Sequence, residues 1–309
     1  DNTVTLNEKI VPTLSSVSIA SNNSTTTLAK VADVVTLTFT ASETIATPVV
    51  TFQSGGAAIT DNSITYASSG NVWTAAYTAN ASDTTGSVTY SIAFSDSAGN
   101  AGTAVTSGSG SVTFDKTVPT QTVIGVDISD DTGTSDSDFL TKTAAQTISG
   151  TLSATLAASD ILNGSVNNGS DWTDITSKVS GTGITWNGAT LSGSSSILFK
   201  ITDAAGNDSN TTGSLAYVLD TTAPTAYLIS CSISSCLKVP LDGNATVQST
   251  ETGTAYLVKT GGAGADITVS NLASITEAED YMWNSVPISS ASTNTNLTTS
   301  GLRLGTYKI

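Results

Sequence analysis

The sequence has no histidine, so the commonest general base and the commonest zinc or transition-metal ligand are both missing. Its only cysteines are Cys231 and Cys236. Five positions apart, they match neither a redox CxxC pair nor half of a zinc site, and read either as a local disulfide or as two small buried residues near a strand start. Charge is scarce too: 11% of the 309 residues are charged, and 10 basic residues face 25 acidic ones for a net charge of −15. The clustered Lys and Arg that a phosphate backbone requires are lacking, which excludes nucleic acid as a partner. A divalent cation suits such a chain better, because carboxylates with few counter-charges repel one another. No apolar run is long enough to cross a membrane, and no leader or sorting tail is legible, so the chain reads as mature or excised material.

Helical periodicity is also absent. What is present is Ser, Thr, Gly, Ala and Asn interleaved with Val, Ile, Tyr and Phe, with six prolines. Disordered chains carry more charge and fewer β-branched and aromatic residues, so the composition predicts a folded, all-β protein. The length suits about three sandwich domains of about 100 residues each.

Self-comparison gives the organisation. Three phrases align: Val4-Thr5-Leu6-Asn7-Glu8 leading to Pro12, Val112-Thr113-Phe114-Asp115 leading to Pro119, and Tyr217-Val218-Leu219-Asp220 leading to Pro224. Each is an alternating strand that ends in an acidic residue, with a proline four positions later. From Pro12 to Pro119 is 107 residues and from Pro119 to Pro224 is 105, one sandwich per step. Proline fixes φ and cannot donate to a ladder, so it suits a stiff crossing between domains. The implied boundaries are 1–11 for a strand and linker belonging to a preceding or neighbouring domain, then 12–118, 119–223 and 224–309.

A second phrase recurs upstream of each linker: Asp96-Ser97-Ala98-Gly99-Asn100 and Asp203-Ala204-Ala205-Gly206-Asn207. Asp, Gly and Asn accept left-handed backbone angles and bond their own main chain, so each phrase predicts a tight turn between the last two strands, F and G. Further strands are expected at Val34 to Phe39, Val49 to Phe52, Trp73 to Tyr77, Thr147 to Leu152, Ile184 to Trp186 and Ala255 to Val258. The even spacing of Trp73 with Tyr77, and of Tyr90 with Phe94, puts each pair on one face, as core instead of a carbohydrate platform.

With these residues in view, the chain resembles the bacterial immunoglobulin-like repeats of giant surface adhesins, of the biofilm-associated and repeat-in-toxin types. The resemblance rests on Asp96-x-Ala98-Gly99-Asn100 with Asp115-x-x-x-Pro119, on Asp203-x-Ala205-Gly206-Asn207 with Asp220-x-x-x-Pro224, and on Asp130-Asp131-Thr132-Gly133-Thr134 followed by Asp136, Asp138 and Phe139. It implies an exported stalk of stacked sandwiches at a bacterial cell surface, with junctions stiffened by bound Ca2+. The ligands implied are Asp96, Asn100 and Asp115 at one junction, closed by Asp127, Asp130 and Asp131 of the next domain, and Asp203, Asn207 and Asp220 at another. Calcium accepts six to eight oxygens in irregular geometry, which such loops supply. The other reading of Asp96 and Asp203 is that they cap their turns through side-chain to backbone bonds. Glu8 replaces the aspartate in the first linker copy.

Catalysis is not expected. Paired carboxylates at work in an enzyme need one cleft and one raised pKa, whereas these acids recur at every junction. Three roles remain in view: an adhesive stalk, a filament, sheath or surface-layer subunit, and more remotely an accessory module of a carbohydrate-active enzyme. The partners are further repeats or other copies of the chain, with an unidentified surface receptor or glycan. The filament reading comes from the two ends. Tyr307 to Ile309 align with strand F, and the repeat period puts the next acidic linker residue beyond Ile309, so the third domain is expected to lack its last strand. Thr3, Val4, Thr5 and Leu6 have the pattern of that strand, and the expectation is that they complete the third domain of another copy.

Overall fold

A computed structural model describes residues 9–61, 63–133, 135–230, 243–262 and 266–309. The chain divides into two compact units, Asp1–Asp220 and Thr221–Ile309. Cys231 and Cys236, and the proposed donor residues Thr3 to Leu6, lie outside the described residues.

The first unit holds two sandwiches. Strands β1 (Leu14–Ser21), β2 (Leu28–Ala29), β3 (Val34–Ala41), β4 (Val49–Ser54), β5 (Ala57–Ala58), β6 (Thr65–Ser69), β7 (Val72–Thr78), β8 (Gly86–Ala93) and β9 (Thr113–Phe114) form the first. Its sheets run β1-β3-β7-β6 and β2-β9-β8-β4-β5. The second repeats this with β10 (Val123–Ile128), β11 (Leu140–Thr141), β12 (Ala145–Leu152), β13 (Ile161–Ser165), β14 (Thr173–Asp174), β15 (Val179–Ser180), β16 (Gly183–Thr190), β17 (Ser194–Thr202) and β18 (Thr212–Leu219), ordered β10-β12-β16-β15 and β11-β18-β17-β13-β14. Two facing sheets with the first strand split between them are the immunoglobulin-like arrangement, so the protein is a tandem array of immunoglobulin-like β-sandwiches.

The alternating pattern explains both cores. In β3, Val35, Leu37, Phe39 and Ala41 point inward while their neighbours are part-exposed. They meet Tyr77, Ile92 and Phe114, and the Phe52 and Tyr77 rings lie 4.8 Å apart. Tyr90 and Phe94 are buried and Trp73 is half-buried against the same core. The second core gathers Ile148, Leu152, Leu162, Ile197 and Phe199, with Trp186 edge-on to Phe199 at 6.3 Å. Each core draws on residues of its own sandwich only.

The second unit contains β19 (Ala226–Ser230), β20 (Asn244–Ser249), β21 (Gly253–Gly261), α1 (Leu272–Thr276), β22 (Trp283–Ile288), β23 (Thr295–Thr298) and β24 (Thr306–Lys308), in sheets β19-β20-β23 and β22-β21-β24. Strand β24 pairs antiparallel with β21, as β8 does with β4 and β17 with β13, so it holds the F position. The Tyr307 hydroxyl donates to the Arg303 carbonyl at 2.8 Å, the bond of a tyrosine corner at the start of strand F. The short α1 was not expected. It is capped by Asn271, which accepts from Ser274 N at 3.0 Å, and with Ile267 and Met282 it covers Val258 on the outer side of β21.

A candidate interdomain joint

The two ends of each sandwich in the first unit are set by strand F. Strand β8 runs from Gly86, paired with Phe114, to Ala93, paired with Val49. Eight residues of strand span about 25 Å. Asp115 therefore lies at the trailing end, where the chain leaves, and Asp96 lies at the leading end. The expected meeting of Asp96 with Asp115 at one junction is thereby corrected, and β17 separates Asp203 from Asp220 in the same way.

The acidic loop is also at the other end from the one expected. It joins β10 to β11 at the trailing end of the second sandwich, where the Thr141 hydroxyl donates to the Asp130 carbonyl at 2.5 Å and Asp220 N donates to the Thr141 carbonyl at 2.9 Å. Asp131 Oδ2 accepts from Phe139 N at 2.8 Å, and Asp138 Oδ1 from Leu140 N at 3.1 Å. Asp127 sits within β10 and accepts from Ile128 N at 2.9 Å, while Asp136 is exposed. None of these residues closes the junction at Asp115.

Both Asp-to-Asn phrases form the tight turn that their sequence predicts. In the first, Asp96 Oδ1 accepts from Asn100 N at 2.7 Å and Oδ2 from Asn100 Nδ2 at 2.6 Å. In the second, Asp203 makes the same two contacts with Asn207 at 2.8 and 2.9 Å. Gly99 and Gly206 have φ of +91° and +87°, which favours glycine. The Asn100 side-chain amide is the main reason that the Asp96 carboxyl lies below its ordinary value, helped by the N–H groups of Asn100, Ala98 and Gly99 against the opposing effect of burial.

The surroundings of the two turns differ. Ala98 and Gly99 are exposed, whereas Ala205 is 3% exposed and Asn207 9%. The second turn is covered by the trailing end of the first sandwich. Lys30 Nζ donates to the Gly206 carbonyl at 2.7 Å, Asn23 Nδ2 donates to the Ala205 carbonyl at 2.9 Å, and Asn207 Nδ2 donates to the Asp115 carbonyl at 3.0 Å. The structure thus brings Asp115 together with Asp203 and Asn207 across this joint. Asp33 organises the donors, since its Oδ2 accepts from Lys30 N at 2.8 Å and from Asn23 Nδ2 at 2.7 Å. Downstream, Lys116 Nζ holds the linker to the first sandwich through the carbonyls of Ala81 and Asp83, at 2.8 and 2.6 Å.

The charge of Lys30 reaches into the second sandwich. Burial alone would raise the Asp208 carboxyl, but bonds from Lys200 and Thr202 and the charges of Lys200 and Lys30 hold it below its ordinary value. Lys30 carries no motif by itself. Its signal is a recurrence: Lys30 follows Leu28-Ala29 and Lys142 follows Leu140-Thr141, each directly after the strand that pairs in parallel with the last strand of its sandwich.

Calcium at this joint can be tested against the donor set. The ion needs six to eight oxygens at about 2.3–2.6 Å. Here the Ala205, Gly206 and Asp115 carbonyls and both Asp203 carboxylate oxygens already accept from nitrogen, the Gly206 carbonyl from the Lys30 ammonium. Asn207 turns its NH2 toward two acceptors, which fixes its amide orientation as a donor. These residues do not fit a calcium ion. Among the described residues, no three acidic or cysteine side chains converge closely enough to hold a metal.

The sequence matches no known family profile and no curated protein. Among solved structures, the chain is similar to the I-band fragment I67-I69 of titin, at 10% identity over 91% of this chain and 89% of that one, with a TM-score of 0.35. It is also similar to a complex of Dpr2 Ig1-Ig2 with DIP-Theta Ig1-Ig3, at 11% identity over 94% and 99% with a TM-score of 0.27, and to tandem Ig repeats of Dlar, at 11% over 68% and 98% with a TM-score of 0.22.

Proposed function

We propose that the chain is a non-enzymatic, tension-bearing spacer of an extracellular stalk on a bacterial surface, which holds an adhesive module away from its anchor. The observation that carries this reading is the parallel pairing of β2 with β9 and of β11 with β18. Thr113 N donates to the Thr27 carbonyl at 2.9 Å and Asp115 N to the Ala29 carbonyl at 2.8 Å. In the second sandwich, Val218 N donates to the Phe139 carbonyl at 3.0 Å and Asp220 N to the Thr141 carbonyl at 2.9 Å. Tension along the chain draws the two paired strands in opposite directions along their own axes. These bonds then resist together in shear, whereas a hairpin pulled from its open end loses them one by one. The exported setting rests on the resemblance of the linker and turn phrases.

Pulling single molecules from their ends is expected to give regular unfolding steps of roughly 30–35 nm per sandwich, the reach of about 100 residues less the folded length. Thr113→Pro removes one shear bond and should lower the first sandwich's unfolding force roughly twofold while leaving the second unchanged. Irregular steps, or a force that Thr113→Pro does not alter, would count against the spacer.

A second reading, the head-to-tail filament subunit, is favoured by β24. This strand holds the F position, and an apolar groove lined by Tyr256, Val258, Ile267, Val269, Ile275 and Ile309 lies beside it. Val4-Thr5-Leu6 repeats the phrase that forms the strand paired with F in β9 and β18. Concentrated full-length chain should then form linear polymers by light scattering, and Val4→Asp/Leu6→Asp should keep it monomeric. A chain that stays monomeric without those changes would end this reading.

A further inference from the structure

We infer that the joint between the first two sandwiches is locked by direct hydrogen bonds from the Lys30 ammonium and the Asn23 and Asn207 amides, so that this joint is rigid without any metal ion. The inference holds whether or not the chain bears tension, since it concerns one joint and not the role of the whole. Three observations carry it. The carbonyl of Gly206 accepts from Lys30 Nζ at 2.7 Å, in a turn whose φ of +87° favours glycine. The lysine does not act alone, because Asn23 and Asn207 each bridge the joint with a side-chain N–H on a backbone carbonyl. Lastly, Ala98 and Gly99 at the tip of the first turn are exposed, whereas their counterparts Ala205 and Gly206 are buried and half-buried. The closer cover of the second tip comes from Asn23 and Lys30 of the neighbouring trailing end.

A fixed cation differs from a bound one in its consequences. An ammonium on the chain is present at every calcium concentration and is not removed by a chelator. A calcium ion approaching these carbonyls would compete with three N–H donors and be repelled by the charge of Lys30. Domains joined by short linkers move relative to one another by default unless their interface restrains them. Here the restraint is built from Lys30, Asn23 and Asn207, and the Lys116 contacts shorten the linker that could swing.

Spin labels at the exposed positions Ser68→Cys in the first sandwich and Ser180→Cys in the second, in full-length chain carrying Cys231→Ser and Cys236→Ser, report the joint as a distance distribution. The parent should give a narrow distribution of the same width in EDTA and in millimolar calcium. Lys30→Met keeps the aliphatic stem and removes the charge, and should broaden the distribution at least about twofold in EDTA. Asn207→Ala, which leaves the first sandwich untouched, should broaden it as well and covers the case in which Lys30→Met disturbs its own sandwich; circular dichroism checks folding of both. A parent that is broad in EDTA, whatever calcium then does, overturns the inference. So do folded Lys30→Met and Asn207→Ala variants that are as narrow as the parent.

Discussion

Phe199→Ala is expected to remove about 3–5 kcal/mol of stability from the second sandwich while leaving the first at its original midpoint. Phe199 is fully buried, packs edge-on against Trp186 and sits among Leu162, Ile197 and Ile148. The site cannot collapse around the loss: Gly164 already lies so close to Trp186 that a Cβ there would come 2.5 Å from the ring. A domain of this size commonly has about 5–15 kcal/mol in total, so the change should lower its melting temperature by roughly 15–30 °C. The first core shares no residue with it, and bonds from three side chains at the joint are small beside a core. Calorimetry should therefore resolve a shifted transition and an unshifted one. A single transition that moves as a whole would mean that the two sandwiches unfold together, and the array would not be a series of independent elements.

Strand positions and the repeat period were legible because both are local. Alternation in Val34 to Phe39 and Thr147 to Leu152 settles which side chains face inward, and the linker prolines recur at nearly one domain length. Turn chemistry was legible for the same reason, since Asp, Gly and Asn act on their own backbone in Asp96 to Asn100 and Asp203 to Asn207. Which turn meets which linker was not legible. Asp96 and Asp115 are close in sequence, yet strand F holds them at opposite ends, and the partner of Asp115 is 92 residues away in Asn207. Lys30 carries no local signal either, because its acceptor, the Gly206 carbonyl, is 176 residues away. Helix α1 was not legible because five residues are too few to show a 3.6-residue period.

The other large effect is expected at a lysine that a sequence reading would leave in solvent. Lys259 shares the inner face of β21 with Ala255 and Leu257 and is 1% exposed. Its stem passes beneath Gly305, where a Cβ would come 2.8 Å from Cε, and its ammonium reaches Asp266 Oδ1 at 3.0 Å. Removing one partner of such a pair costs more than removing both, because a buried charge left without its counter-charge keeps its desolvation penalty. Asp266 is 44% exposed, so solvent screens part of the attraction, and Lys259 keeps a further contact, so that Asp266→Ala should destabilise the third sandwich by about 1–2 kcal/mol. Lys259→Met keeps the packing of the stem and deletes the charge, and should lie within about 1 kcal/mol of the parent. Combined with it, Asp266→Ala should then cost almost nothing. Denaturant unfolding followed by Trp283 fluorescence reads this sandwich, with the other three tryptophans replaced by phenylalanine in the parent and in every variant compared with it. If Asp266→Ala is as harmless alone as in the Lys259→Met background, the ammonium does not depend on Asp266, and the pair contributes nothing to holding β21 against the loop.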